Sequence, residues 1–147
     1  MNIIERKIEA LKEFEDSIYD TIRLTVVDNE HIIADMNSQV QLYEQGIDRN
    51  GDKIAEYAPY RPLTIQIKLM KGQPTSRVTL RDTGDFHASF KVIANNISFF
   101  IDASDIKTDM LIKRYGEQIL GLTEDNLNEL IWEYIYPDLL TKLKDLV

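Results

Sequence analysis

The chain has no cysteine and only two histidines, His31 and His87. The first absence removes disulfides, thiolate metal sites and cysteine nucleophiles. The second leaves too few imidazoles for a multi-histidine zinc centre. No apolar run approaches the ~18 residues that mark a membrane helix. The opening residues, Met1 to Arg6, mix charged and apolar side chains without the apolar centre of a signal peptide. With 6 glycines and 4 prolines in 147 residues, collagen-like and low-complexity chains are excluded too. These absences predict a soluble protein made in a reducing cytoplasm, with no cofactor, metal or membrane partner.

What is present fits a folded domain. Hydrophobic residues make up 44% and charged residues 29%, enough for one core spanning residues 1–147. The net charge of −8 argues against a surface that binds DNA throughout. The charge is uneven, however. Residues 61–81 hold Arg61, Lys68, Lys71, Arg77 and Arg81 and no acid, a local +5, so the remainder carries −8 − 5 = −13. Such polarity draws copies of one chain together head to tail, and it equally suits a solvated basic loop.

Apolar spacing gives the elements. Ile4, Ile8, Leu11, Phe14, Ile18 and Ile22 recur every three or four residues and predict an amphipathic helix from residue 3 to about 24. The β-branched Thr25-Val26-Val27 weakens it, and Asp28 or Asn29 suits the cap of a second helix. Ile33, Met36, Val40 and Tyr43 would form the inner face of that helix, and Gly46 stands where a left-handed C-terminal cap belongs. Asp48 to Asp52 reads as a turn, and Pro59 and Pro62 as an extended connection. Alternation of Ile65, Ile67 and Leu69 between Leu63 and Lys71 predicts a strand, with a helical turn as the alternative. Gly72 to Ser76 is a loop. Phe90, Val92 and Ala94, then Asn95-Asn96, then Ile97, Phe99 and Ile101, predict a β-hairpin with an asparagine turn. Thr123 caps a last helix led by Glu124 and Asp125, with Leu127, Leu130, Ile131, Tyr134 and Ile135 on its apolar stripe. Pro137 should kink or split it, with Leu139, Leu140, Leu143 and Leu146 continuing a buried face. The expected fold is therefore α+β: helices over about 3–46, a loop and β region over about 47–105, and a helical region over about 108–147. The N- and C-terminal helices would pack on a small antiparallel sheet, with a long loop protruding.

Few residues suggest chemistry. Asp48-x-Asn50-x-Asp52 opens like a calcium loop, but Lys53 and Pro59 occupy the positions that need Gly and a bidentate Glu. Asp82-Thr83-Gly84 matches the catalytic triplet of aspartic proteases, and Ile119-Leu120-Gly121 matches their later apolar-apolar-Gly element. A chain this short would then act as a retropepsin-like homodimer in which two aspartates share a proton. Asp85 and Phe86 stand where that family has small residues, and the helical N-terminus departs from its strand-rich one. His31 and His87 have no inferable serine or acid partner. Trp132, Tyr134 and Tyr136 fit a core or subunit interface better than a ligand stripe.

Leu80-Arg81-Asp82-Thr83-Gly84-Asp85-Phe86-His87-Ala88-Ser89-Phe90 follows Gln41 to Asp48 and the basic stretch from Thr64 to Lys71. Its pattern, leucine, two residues, Thr-Gly, one residue, an apolar residue, two residues, then Ser and an apolar residue, resembles the segment shared by tailed-phage virion-morphogenesis and tail-completion proteins. Tyr115 to Thr123 followed by a terminal helix is similar to prophage tail proteins of the same kind. The resemblance covers roughly residues 40–130, and the long acidic N-terminal helix departs from it.

The resemblance implies a non-enzymatic α+β subunit, a neck, tail-completion or head–tail connector protein, assembling as a homo-oligomeric ring in the virion. Its partners would be copies of itself and neighbouring head or tail proteins, with DNA passing the lumen as a non-specific contact. It further implies that Thr83-Gly84 makes a sharp bend, with Leu80, Phe86 and Phe90 anchoring its arms. Residues 61–79 would be the arm that reaches a neighbour, and Arg61, Lys68, Lys71, Gln73, Arg77 and Arg81 its interface residues. Competing readings are the homodimeric protease and a small adaptor that binds a host protein through acidic helices.

Overall fold

A computed structural model describes residues 1–95 and 98–146. Helix α1 spans Ile3–Asp28 and starts on a capping box, in which the Asn2 side chain accepts from the Glu5 N–H and the Glu5 carboxylate accepts from the Asn2 N–H. It runs further than its β-branched segment predicts. The Thr21 and Thr25 hydroxyls donate to carbonyls one turn back, at 2.6 and 2.7 Å, so their polar atoms are satisfied inside the helix. Asn29 ends it and sends its side-chain amide back to the Thr25 carbonyl instead of capping the next helix.

Helix α2, Glu30–Asp35, passes directly into a π-helical segment, Met36–Gln45. The wider turn rotates the buried face away from the expected one. Ile33 and Met36 are buried, but Asn37, Ser38, Gln41 and Leu42 follow them inward, leaving Val40 and Tyr43 half-buried. Gly46 closes the segment at φ 65°, where a Cβ would stand 2.8 Å from Cβ of Arg77. Asp48 then knots the following turn. Its carboxylate accepts the Asn50 and Asp52 N–H groups at 2.8 and 3.1 Å and the Tyr57 hydroxyl at 3.0 Å.

Helix α3, Ile54–Tyr57, leads to α4, Pro62–Met70. The latter replaces the expected strand. Pro62 fits the first turn of a helix, and the Ile65 N–H donates to the Arg61 carbonyl at 3.1 Å. Three alternating apolar residues with no partner strand beside them fold locally. Nor is the rest of the segment a free loop. It returns along the body with Val78 and Thr79 1% exposed and Leu80 buried.

Helix α5, Asp85–Ala88, precedes the hairpin of β1, Phe90–Ala94, and β2, Phe99–Ala103. The strands pair antiparallel from Phe90↔Ala103 to Ala94↔Phe99, with Phe90, Val92 and Ile101 inward. The Asn95 N–H donates to the Ser98 carbonyl, while the expected turn residue Asn96 and its neighbour Ile97 lie outside the described residues. Helix α6, Thr108–Tyr115, and a 3₁₀ turn, Glu117–Ile119, lead to α7, Glu124–Glu129, capped by Thr123. A second π-helical segment, Leu130–Ile135, runs into α8, Tyr136–Lys144. The chain stays helical through Pro137, and the change of turn width comes just before it. The C-terminal face is less buried than expected: Leu139 and Leu143 are half-buried, and Leu140 and Leu146 exposed.

The architecture is α+β, a mainly helical chain around one two-stranded antiparallel sheet. Its core joins Ile33, Leu42, Ile54, Val78, Ile119 and Leu130 with Phe86 and Phe90.

Candidate functional site

The structure brings most of the basic segment and the Asp-Thr-Gly bend together, and it does so by internal bonds. Lys68 faces inward from α4 and is 7% exposed. Its ammonium donates to the Arg81 carbonyl at 3.0 Å and to Gln73 Oε1 at 3.4 Å, and lies 4.9 Å from the Tyr60 ring centroid. Lys71 pairs with Asp82 at 2.7 Å, and the Gln73 amide donates to the Asp82 carbonyl at 3.0 Å. Arg77 Nε donates to the Tyr43 carbonyl at 2.6 Å, and both Arg77 and Arg81 stack over the Tyr43 ring. Of the six expected interface residues, Lys68, Lys71, Gln73 and Arg77 thus use side-chain donors to hold their own segment down. Arg61 and Arg81 are exposed.

The bend itself is well defined. Leu80 takes a left-handed φ of 55°, Gly84 a φ of 94°, and the Asp85 N–H donates to the Thr83 hydroxyl at 3.3 Å. Phe86 and Phe90 are buried edge to face, with ring centroids 5.0 Å apart. Between them in sequence His87 is also buried, with Nε2 2.9 Å from the Thr79 carbonyl and Nδ1 without a partner. An acceptor opposite Nε2 makes that nitrogen the donor of a neutral ring. Burial pushes the imidazole down to about 4, against the opposing Thr79 bond and with a smaller push from Arg81.

Within the single chain Asp82 pairs with Lys71 rather than with a second carboxylate. The hydrogen bond from Lys71 holds its carboxyl below the ordinary carboxylate value, whereas a proton shared by two aspartates needs one of them held above it. Asp48 has its oxygens occupied by the turn it organises, and burial followed by the Asp48 bond pushes the Tyr57 phenol to about 12. Among the described residues no group of three or more acids or histidines is placed to hold a metal ion.

The apolar surface around this bracket was hidden from sequence reasoning. With Lys68 turned inward, α4 shows Leu63, Ile67, Leu69 and Met70 to solvent, exposed by 67, 44, 63 and 87%. The signal was the i, i+4, i+7 spacing of Leu63, Ile67 and Met70, which alternation masked. Tyr43 and Tyr60, the aromatic seats for the cations, were likewise missed, because cation–π partners are separated widely in sequence. No helix among the described residues is long and apolar enough to cross a membrane. No protein-family model, curated protein or solved structure matches the chain.

Proposed function

We propose that this chain is a non-enzymatic structural subunit of a tailed-phage particle. It would form a homo-oligomeric ring at the head–tail connection, neck or tail end, made in the bacterial host cytoplasm and resident in the virion. The observation that carries this reading is the outer face of α4, where one buried lysine fastens the helix and Leu63, Ile67 and Met70 stand exposed on one side of it. A contiguous apolar patch on a soluble protein marks an interaction surface. Arg61 stands exposed at one end of the patch, and Lys71, paired with Asp82, at the other, in a chain that is acidic outside residues 61–81. A second copy offers both complements, apolar area and negative charge. The shared Thr-Gly segment, which packs beneath α4 through Arg81 and Asp82, supplies the likeness to virion-morphogenesis proteins. DNA in a lumen would meet chiefly Arg61 and Arg81, since the other cations of the segment bond internally.

Light scattering after size exclusion tests the assembly, with a defined multimer expected for the starting protein and its loss on Leu63→Asp with Ile67→Asp. Peptide mass spectrometry of purified particles tests the setting. A chain absent from them refutes the virion reading.

A further inference from the structure

Two unpartnered surfaces on this chain complement one another, and neither is the face of α4. The first is the free half of α1. Residues 1–17 are exposed throughout, over ~22 Å of helix at 1.5 Å per residue. It carries Ile4, Ile8, Leu11 and Phe14, exposed by 69, 47, 67 and 49%, at spacings of four, three and three. That is the anchor pattern of a helix that lays one face into a groove.

The second surface is such a groove. It has a volume of about 840 Å³ and lies between β2, the turn after α6 and the helix that starts at Glu124. Its apolar lining includes Phe99, Phe100, Ile112, Leu122, Leu127 and Ile131, of which Phe100 is 53% and Ile131 39% exposed. Sites that enclose several apolar groups span ~300–1,000 Å³, so the groove has room for an anchor row. None of residues 1–17 lines the groove, so the arm leaves its own groove open.

We infer that the exposed N-terminal half of α1 docks by Ile4, Ile8, Leu11 and Phe14 into the Phe100–Ile131 groove of a second copy. This deepens the proposed assembly by naming one of its contacts, and it rests on that reading for the choice of partner. The charge of the arm supports a protein partner over an anionic membrane. Residues 3–17 hold five acids and three bases, a net −2, whereas helices that lie on anionic lipid are rich in lysine and arginine. The contact joins two different surfaces, so it is head to tail and either closes into a ring or extends into a filament. One helix face covers less than the ~800 Å² per partner of a standard interface, so a single contact is transient and repetition strengthens it.

The absence of native cysteine makes the test clean. Single variants Ile8→Cys and Leu11→Cys on the arm, and Phe100→Cys and Ile131→Cys in the groove, are mixed in arm–groove, arm–arm and groove–groove combinations. Oxidation or a short bismaleimide then fixes whichever pairs meet. Arm–groove mixtures should give covalent dimers at least tenfold above the other two, and a chain with both Leu11→Cys and Phe100→Cys should give a ladder of multimers. Ile8→Asp, at an exposed position that the double variant leaves native, should abolish its ladder while the circular dichroism and Tm stay unchanged. Dimers from arm–arm mixtures alone overturn the inference in favour of paired arms. No cross-link at any combination overturns it as well. The presence of the chain in purified particles is read separately, so the virion reading stands or falls on its own.

Discussion

His87 makes folding of this protein sensitive to mild acid. In the unfolded chain the imidazole takes up a proton near its ordinary value of 6.5, whereas the folded ring resists protonation until about 4. The unfolded state therefore binds more protons between these values, and acid favours it. The stabilisation is fully present above 6.5 and is lost as pH falls toward 4, reaching about 3 kcal/mol at 1.36 kcal/mol per unit. Between pH 7.5 and 5.0 the same two values give a loss of about 2 kcal/mol. Asp82 and Asp138 change protonation below this window, because Lys71 and Lys142 hold their carboxyls under the ordinary value.

Equilibrium urea unfolding at a series of pH values reads this directly. A loss of about 2 kcal/mol moves the midpoint down by about 1 M for an m-value near 2 kcal/mol/M. His87→Gln is the control, since its side-chain amide can still donate to the Thr79 carbonyl but carries no proton in this range. The variant should lose stability at pH 7.5 through imperfect packing against Phe86 and Phe90, yet its midpoint should stay nearly level down to pH 5.0. Equal pH slopes for the two proteins would refute the reasoning, and with it the assignment of a buried, neutral ring.

Three other perturbations test the parts of the fold that present the candidate surfaces. Lys68→Met keeps the stem but removes the bonds to Arg81 and Gln73. A charged hydrogen bond of about 1.5–3 kcal/mol, less the desolvation no longer suffered, gives a net loss of about 1–2 kcal/mol, with faster limited proteolysis within residues 61–81. Gln41→Leu removes the fully buried amide that bonds the Gly121 carbonyl, the Thr123 N–H and the Asn126 amide. It should cost about 3 kcal/mol in urea unfolding and loosen the segment lining the groove. Gly84→Ala meets no atom closer than 3.6 Å, so its cost comes from holding φ at 94° and should be about 1–2 kcal/mol, with the oligomeric state unchanged.

How much of this was legible in the sequence depends on whether local chemistry or a distant neighbour decides each residue. Gly46 and Thr123 were legible because a left-handed cap and a helix N-cap are settled within four residues, and the Thr123 hydroxyl does accept the Asn126 N–H at 3.2 Å. The hairpin was legible because inward Phe90, Val92 and Ile101 alternate with period two. The inward turn of Asn37 and Gln41 was not, since a π-helical segment shifts the buried face and both amides find partners some 80 positions away. Lys68 was illegible for the same reason, being held by Arg81, Gln73 and Tyr60.

The sequence also placed more apolar residues inside than the single chain can cover. Periodicity reports that a face is apolar and says nothing of which surface covers it. Ile4, Ile8, Leu11 and Phe14 on α1 and Leu140 and Leu146 at the end share that fate, each spaced like core yet open to solvent, and Leu63, Ile67 and Met70 on α4 add an exposed face that alternation masked. Water penalises such faces at every one of these places, and the proposed assembly would relieve that cost by covering them with neighbours. On the proposed reading, the excess of expected core over buried core is what assembly would cover, and it puts the proposed contacts on α1 and α4.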